Sequence, residues 1–136
     1  MWSPDSGKIA FTNSSGNVVA IHVINADGSG QANLTNNSAI DYSPDWFPDG
    51  LKIAFTSYRD GNEEIYVMNA DGSNQTRLTT DGATDGAPSW SPDGAKIAFN
   101  SDRYGNVEIY VMNADGSGLT RLTDHPGSDR GPTWSP

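Results

Sequence analysis

Residues alternate in side-chain character along short stretches of the chain, with Gly, Pro, Asn and Asp clustered between the stretches. For example, Ile97 and Phe99 alternate with Lys96 and Ala98, and other stretches show the same period of two. This period is typical of β-strands, because successive side chains of a strand point to opposite faces of its sheet. No stretch sustains the period of an amphipathic helix, so the pattern predicts an all-β protein.

Conspicuous residues recur every 44 positions along the chain. They include Trp2, Trp46, Trp90 and Trp134, three Asn-Ala-Asp-Gly-Ser segments that begin at Asn25, Asn69 and Asn113, and the aspartates Asp41, Asp85 and Asp129. The second and third copies are identical at 28 of 44 positions without a gap. A period in the forties with several strands per unit is the signature of propeller blades. We therefore expect a single domain, 1–136, of three four-stranded antiparallel blades, in repeats 2–45, 46–89 and 90–133.

The third repeat shows where the four strands of a blade fall. Strands a to d are predicted at 86–90, 96–101, 108–113 and 119–123, separated by turn residues. Asp115-Gly116 between strands c and d is a strong hairpin signal, since Gly accepts the positive φ of a tight turn. Both faces of a blade pack on neighbouring blades, which explains the apolar residues on both sides of these strands.

The repeated segments resemble those of a known family. They are Trp90-Ser91-Pro92-Asp93-Gly94, Lys96-Ile97-Ala98-Phe99, Glu108-Ile109-Tyr110-Val111, Asn113-Ala114-Asp115-Gly116 and Arg121-Leu122-Thr123. Together they look like the TolB-type, WD40-like propeller repeat, and the resemblance covers the whole chain. It implies a propeller of six blades and a non-catalytic scaffold that binds a protein or peptide at the channel mouth. It also implies a periplasmic or extracellular location, although the chain carries no targeting signal.

Three blades make half of such a ring. An arc of three leaves two blade faces open to water, and apolar patches of that size mark an interface. Two arcs of three make six, so we expect a homodimer that closes the ring about a two-fold axis. The alternatives are a fragment of a longer chain and an open assembly. Residues 131–136 repeat the start of a blade without its second strand, which predicts an extra strand that completes the first blade of the partner.

Composition narrows the classes of partner. The net charge is -9, from 8 Lys+Arg against 17 Asp+Glu. This argues against a nucleic-acid partner, which needs a concentrated basic surface, and leaves cations, basic peptides or neutral ligands. No apolar run approaches the length of a membrane span, so membrane insertion is not expected. The chain has no cysteine, which excludes disulfides and thiolate metal sites.

Three aspartates just before the innermost strand are the first candidates for a site. In a closed dimer, Asp41, Asp85 and Asp129 would form a ring of six carboxylates near the channel mouth. Like charges held close raise each other's pKa unless a cation or basic group neutralises them. One interpretation is therefore a Ca²⁺ site or a dock for a basic peptide. The other is that each Asp caps its own turn or accepts backbone N–H groups across the gap between blades.

Two arginines are the second candidates. Arg59 and Arg103 follow strand b, and Glu64 and Glu108 open strand c at matching positions. The structural interpretation is an Arg–Glu pair across that hairpin, and the functional one is contact of the Arg residues with a ligand at the rim. Ser15 replaces the Arg in the first repeat, so a site that needs every blade to contribute equally is not expected.

No motif of an enzyme is present in the sequence. There is no Gly-x-Ser-x-Gly elbow, no cysteine nucleophile and no phosphate-binding loop, so we expect no catalytic activity. Two alternatives to the binding scaffold stay open. One is a Ca²⁺-binding propeller related to sugar lyases or lactonases, and the other is the accessory propeller of a serine peptidase.

Overall fold

The computed structural model describes residues 1–135 and shows strands joined by turns, with no helix in that part of the chain. The strands of the first repeat are β1 (Lys8–Ser15), β2 (Val18–Asn25) and β3 (Ala32–Asn33). Those of the second are β4 (Asp41–Trp46), β5 (Lys52–Ser57), β6 (Glu64–Asn69) and β7 (Thr76–Arg77). Those of the third are β8 (Asp85–Trp90), β9 (Lys96–Ser101), β10 (Glu108–Asn113) and β11 (Thr120–Arg121). The absence of helices among these residues also means that none of them forms a helix able to cross a membrane.

Each repeat forms its own antiparallel sheet, with strands in the order of the chain. The sheets β4-β5-β6-β7 and β8-β9-β10-β11 are the second and third blades, with strands a to d in that order. The predicted strands b and c of the third repeat match β9 and β10, whereas strand d is shorter than predicted. The first sheet has three strands, and an isolated bridge from Trp2 to Ile9 stands where its inner strand would lie.

Residues 131–135 form no strand within the chain, since a strand needs a hydrogen-bonded neighbouring strand and none of the described strands pairs with this segment. The predicted extra strand at 131–136, which would pair with a partner, stays a prediction. Pro136 lies outside the described residues.

Strand a carries a bulge in both complete blades. The pairing with strand b shifts between Tyr42 and Asp45 in the second blade, and at the matching positions of the third. Ser43 and Ala87 adopt a φ of 53° within these bulges, and each precedes a Pro that cannot donate to the ladder. The bulge divides strand a into two halves. The first half carries the Asp that recurs every 44 residues, and the second half carries the recurring Trp.

The core lies between blades. Trp46 of the second blade packs with Ala10 and Ile21 of the first. Trp90 of the third blade packs in the same way with Ala54 and Ile65 of the second. Each complete inner strand thus anchors its blade to the blade before it, and the described chain is an arc of blades in one register.

Candidate functional site

The polar residues singled out in the sequence gather at one end of the blades. Asp41 pairs in register with Ser57 at the end of strand b, and Ser57 pairs with Glu64 at the start of strand c. The b–c turns (58–63 and 102–107) and the d–a connections (36–40, 80–84 and 124–128) lie at this end of the blades. We call this surface the connector face.

Arg59, on the connector face, reaches back to the start of strand a. Its Nη2 lies 3.4 Å from Asp41 Oδ1, and its Nη1 donates to Gln75 Oε1 at 2.8 Å. The guanidinium lies 4.4 Å from the ring centroid of Tyr66. Asp41 has no exposed surface, and its other oxygen accepts from Asn37 Nδ2 at 2.8 Å. Both oxygens of this carboxylate therefore have partners within the chain.

Arg103 makes the matching contact in the third blade with tighter geometry. Its Nη2 donates to Oδ1 and Oδ2 of Asp85 at 3.0 and 2.8 Å. Its Nη1 lies 2.9 Å from Asp81 Oδ2, and the guanidinium lies 5.0 Å from the ring centroid of Tyr110. Asp85 has no exposed surface, so this ion pair is largely shielded from water.

The predicted Arg–Glu pair across the b–c hairpin is wrong. Glu64 pairs with Arg77 on strand d, and Glu108 pairs with Arg121 at 3.2 Å. Stacking on the aromatic side chain of strand c directs the b–c arginine towards strand a, which leaves the Glu to the arginine of strand d. Two ion pairs therefore recur at the connector face of both complete blades, one between strand a and the b–c turn and one between strands c and d.

Burial and hydrogen bonds act in opposite directions on these carboxyls. Burial raises the pKa of Asp85, and the hydrogen bonds from Ser101 and Arg103 act against that rise. Burial likewise raises the pKa of Glu64, whereas the hydrogen bond from Thr123 holds the pKa of Glu108 at about 2. Both glutamates accept from a Thr, an Asn and an Arg, and on that ground we treat both as ionised at neutral pH.

The third candidate aspartate lies in a different setting. Asp129 Oδ2 is 3.1 Å from Nδ1 of His125, and this contact raises the pKa of His125. One ligand atom from each of Glu108, His125 and Asp129 lies within 4.8 Å of the others, which is the spacing of a metal site. However, Glu108 already accepts from Asn106, Thr123 and the His125 backbone, so its oxygens are engaged. Hydrogen bonds within the chain therefore occupy both oxygens of Glu108, whereas the His125 side chain is 68% exposed.

The structure does not bring the three aspartates together around one ion. Asp41 and Asp85 each face an arginine of their own blade, and Asp129 faces a histidine. Neither carboxylate that faces an arginine offers a free pair of oxygens to a cation. The interpretation of Asp41, Asp85 and Asp129 as Ca²⁺ ligands stays a prediction.

Two clefts open on the connector face at successive boundaries between blades. The first cleft has a volume of about 460 Å³ and is lined by Asn17, Asn37, Ser38, Ala39, Ile40, Tyr58 and Arg59. The second cleft has a volume of about 410 Å³ and is lined by Asp81, Gly82, Ala83, Asp102, Arg103 and Tyr104. The arginines that form the buried ion pairs are thus also walls of the two clefts.

The two clefts differ in chemistry although the repeat places them at equivalent positions. The first contains no acidic side chain and is bordered by Ile40 and Tyr58, which are 44% and 49% exposed. The second contains the carboxylates of Asp81 and Asp102 and is bordered by Tyr104, which is 73% exposed. An apolar or neutral group fits the first cleft best, and a basic group fits the second.

Sequence reasoning missed several residues of this face. The ion-pair partners Arg77 and Arg121 recur 44 positions apart next to the Leu-Thr of strand d, and that recurrence was a usable signal. Tyr58 and Tyr104 flank the repeated Arg on opposite sides, so their common role is invisible to a search for identical positions. Asp45 is also a missed residue: it is buried on the inner strand, where Ser89 stands in the next blade, and accepts from the Trp90 backbone N–H at 2.7 Å.

Comparison with known proteins agrees with this architecture. The TolB beta propeller domain family matches residues 1–86 and again residues 83–136. A solved structure assigned as TolB from Agrobacterium tumefaciens superposes with a TM-score of 0.89 at 31% identity, covering 98% of this chain and 52% of that chain. The crystal structure of TolB from Acinetobacter baumannii gives a TM-score of 0.80 at 29% identity, covering 91% of this chain and 32% of that chain.

Curated relatives match over a single repeat length. The Tol-Pal system protein TolB of Anaeromyxobacter dehalogenans strain 2CP-C is 54% identical over 44 residues, which are 32% of this chain and 10% of that protein. The chain thus spans about half of the first matched structure and a tenth of this curated relative. The family matches together span the whole chain, and they agree with the blades seen in the structure. The chain belongs to the TolB β-propeller domain family.

Proposed function

We propose that this chain is a non-catalytic propeller module that binds an extended protein segment along the two clefts of the connector face. The observation that carries the proposal is that each cleft pairs a fixed arginine with a neighbouring exposed tyrosine. Tyrosine and arginine are enriched at protein interfaces and dominate their binding energy. The ion pairs to Asp41 and Asp85 hold the arginines in place before a ligand arrives.

The chemistry of the clefts indicates what the bound segment contains. An apolar side chain fits beside Ile40 and Tyr58 in the first cleft. A Lys or Arg side chain fits beside Asp81 and Asp102 in the second cleft. The net charge of -9 favours the approach of such a basic segment over that of an acidic one.

The buried carboxyls of the connector face are structural groups and are not available as general acids or bases. The buried acids Asp41, Asp85, Glu64 and Glu108 are all engaged in ion pairs or hydrogen bonds within the chain. A general acid or base needs a titratable group within reach of the substrate, and these groups have no exposed surface. The similarity to the TolB family supports a location in the periplasm or outside the cell.

A binding titration tests the proposal. The probe is a synthetic extended peptide that carries an apolar residue and a Lys spaced to reach the first and the second cleft, because these are the groups that the two clefts accept. We expect saturable binding by calorimetry. Tyr104→Ala and Tyr58→Ala should each weaken binding by about ten-fold, the loss typical of an interface anchor.

Leu51→Ala is the matched control, because Leu51 is 66% exposed and lines neither cleft. It should leave the affinity unchanged. Absence of binding, or binding that neither Tyr variant weakens, would contradict the proposal.

A further inference from the structure

The contact between neighbouring blades has a repeated form that we call the blade joint. In the first joint, Leu34 of the first blade is 8% exposed and sits against Gly72 in the c–d turn of the second. A Cβ atom on Gly72 would lie 2.5 Å from the Leu34 carbonyl oxygen, so only glycine fits. Gln75 of the second blade donates to the same carbonyl at 3.1 Å. Shape and hydrogen bonding therefore both specify this joint.

The second joint repeats the arrangement between the second and third blades. A Cβ atom on Gly116 would lie 3.0 Å from the carbonyl oxygen of Leu78, the counterpart of Leu34. Trp90 is 6% exposed in this joint, as is Trp46 in the first. Ile65, which packs beside Trp90, has no exposed surface.

Each end of the arc carries one side of the blade joint without the other side. On the third blade, Leu122 is 58% exposed and Ile109 is only partly buried. Their counterparts in the internal joints are less exposed: Leu34 is 8% exposed, Leu78 is half-buried, and Ile21 and Ile65 have no exposed surface. On the first blade, a Cβ atom on Gly28 would meet nothing within 4 Å, and Trp2 is 55% exposed. Gln31, the counterpart of Gln75, is exposed as well.

The segment after the third blade follows the path of a further inner strand. Asp129 N–H donates to the Val107 carbonyl at 2.8 Å, as Asp85 N–H donates to the Glu63 carbonyl at 2.8 Å. Trp134 Nε1 donates to the carbonyl of Ser89 on β8. In the first blade, β1 meets Met1 and Trp2 at the place of the inner strand.

We propose that the two ends of the arc bind a second copy of this chain. Leu122 of one copy sits on Gly28 of the other, where Gln31 donates to the Leu122 carbonyl. Residues 129–132 then pair with the partner's β1 at Thr12 and Asn13. These two positions correspond to Thr56 and Ser57 of strand b, which pair with the start of strand a in the second blade. Two such joints about a two-fold axis close a ring of six blades.

The proposal concerns the ends of the arc and is independent of ligand binding at the connector face. The partner is a second copy of this chain because the two end faces are complementary. The face of the third blade corresponds to the leucine side of the internal joints, and the face of the first blade corresponds to their glycine side. Trp2 and Trp134 occupy the same position of the repeat, so one of these two side chains must leave the joint when the ring closes.

The mass of the chain in solution, measured by light scattering over a range of concentrations, tests the proposal. We expect a mass near twice the 14.5 kDa of the chain. Leu122→Asp places a charge in both joints and should raise the dissociation constant of the dimer by about ten-fold or more. Leu51→Asp is its matched control, because this leucine is similarly exposed, at 66%, and lies on neither end face.

A second pair of variants keeps the test independent of the leucine. Gly28 and Gly16 both have a positive φ, of 84° and 62°, and open space at the Cβ position. Gly28→Ala should weaken the dimer, whereas Gly16→Ala should not, and circular dichroism checks that both variants fold. A monomeric wild type, an open series of larger assemblies, or a dimer that Leu122→Asp and Gly28→Ala leave intact would overturn the proposal.

Discussion

The guanidinium of Arg103, in the b–c turn of the third blade, donates to both carboxylate oxygens of Asp85 on strand a, at 3.0 and 2.8 Å. Asp85 has no exposed surface and the Arg103 side chain is 12% exposed. The matching contact of Arg59 with Asp41 is longer, at 3.4 Å. The same sequence position therefore supports ion pairs of different strength in neighbouring blades.

Arg103→Met should destabilise the chain by about 3–5 kcal/mol, the usual cost of leaving a buried charge without its partner. Arg59→Met should cost less, because Arg59 lies 3.4 Å from Asp41 and contacts only one of its oxygens. Urea unfolding of the two variants and the wild type, followed by tryptophan fluorescence, measures the difference. Equal losses in the two variants would contradict the ranking of these ion pairs.

The strands and the repeat were predictable because they depend on local information. The period of two, the turn residues and the spacing of 44 residues place β9 and β10 within the third repeat. The family follows from the same segments. Strand d was predicted too long because its apolar residues include Leu122, which extends beyond the two residues that pair with strand c.

The pairing of charges was not predictable from spacing alone. Arg103 and Glu108 are five residues apart on one hairpin, yet each binds a partner on another strand. The choice depends on the stacking of Arg103 on Tyr110 and on the bulge that turns the start of strand a, which are tertiary features. The different chemistry of the two clefts likewise arises from positions where the repeats diverge, such as Tyr58 and Asp102.

Thr123→Val should make the chain more sensitive to acid. The Thr123 hydroxyl holds the pKa of Glu108 at about 2, below its ordinary value of 4.5. A carboxyl with a lowered pKa stabilises the folded state fully above the ordinary value, and this contribution is lost as pH falls towards 2. In the variant the pKa of Glu108 rises towards 4.5, so this contribution is smaller and the chain should unfold at a higher pH, as acid unfolding followed by circular dichroism would show.

The control for this titration is Thr120→Val, since Thr120 is exposed on β11, shortly before Thr123, and its hydroxyl bonds only a nearby backbone carbonyl. Its acid transition should coincide with that of the wild type. An unchanged acid midpoint in Thr123→Val would mean that the Thr123 hydroxyl does not hold the Glu108 carboxylate.

Asp129→Asn should lower the pKa of His125, because the contact with Asp129 is the main cause of its rise above 6.5. The sign also fixes the effect on stability: the contribution of this pair is complete below the ordinary pKa of histidine and is lost as pH rises through the raised value. NMR titration of the His125 ring measures the pKa, and urea unfolding at several pH values measures the stability. Asp124→Asn should move the pKa of His125 less, and the reverse order would contradict the assignment.

Calcium should leave the melting temperature of the chain unchanged. Asp41 and Asp85 already face arginines, and a cation would have to displace those ion pairs before it bound. Melting curves with Ca²⁺ and with EDTA test this directly. A shift of several degrees would instead support the interpretation of the aspartates as metal ligands.

Asp45→Asn should stabilise the folded chain at neutral pH. Burial raises the pKa of Asp45 above its ordinary value of 3.8, so the charged carboxylate is less favourable in the folded state than in water. A carboxyl with a raised pKa loses stability as pH increases from the ordinary value through the raised one, and the loss is complete above it. Asparagine keeps an oxygen that accepts from the Trp90 backbone N–H and carries no charge.

The pH dependence of the Asp45→Asn effect serves as its own control. Well below pH 3.8 the wild-type carboxyl is protonated in both the folded and unfolded states, so the two proteins should unfold at similar urea concentrations. The advantage of the variant should then grow as pH rises to neutral. A variant that is less stable than the wild type at neutral pH would show that the Asp45 charge stabilises the inner strands, through the Trp90 N–H and the nearby chain amino group, by more than its burial costs.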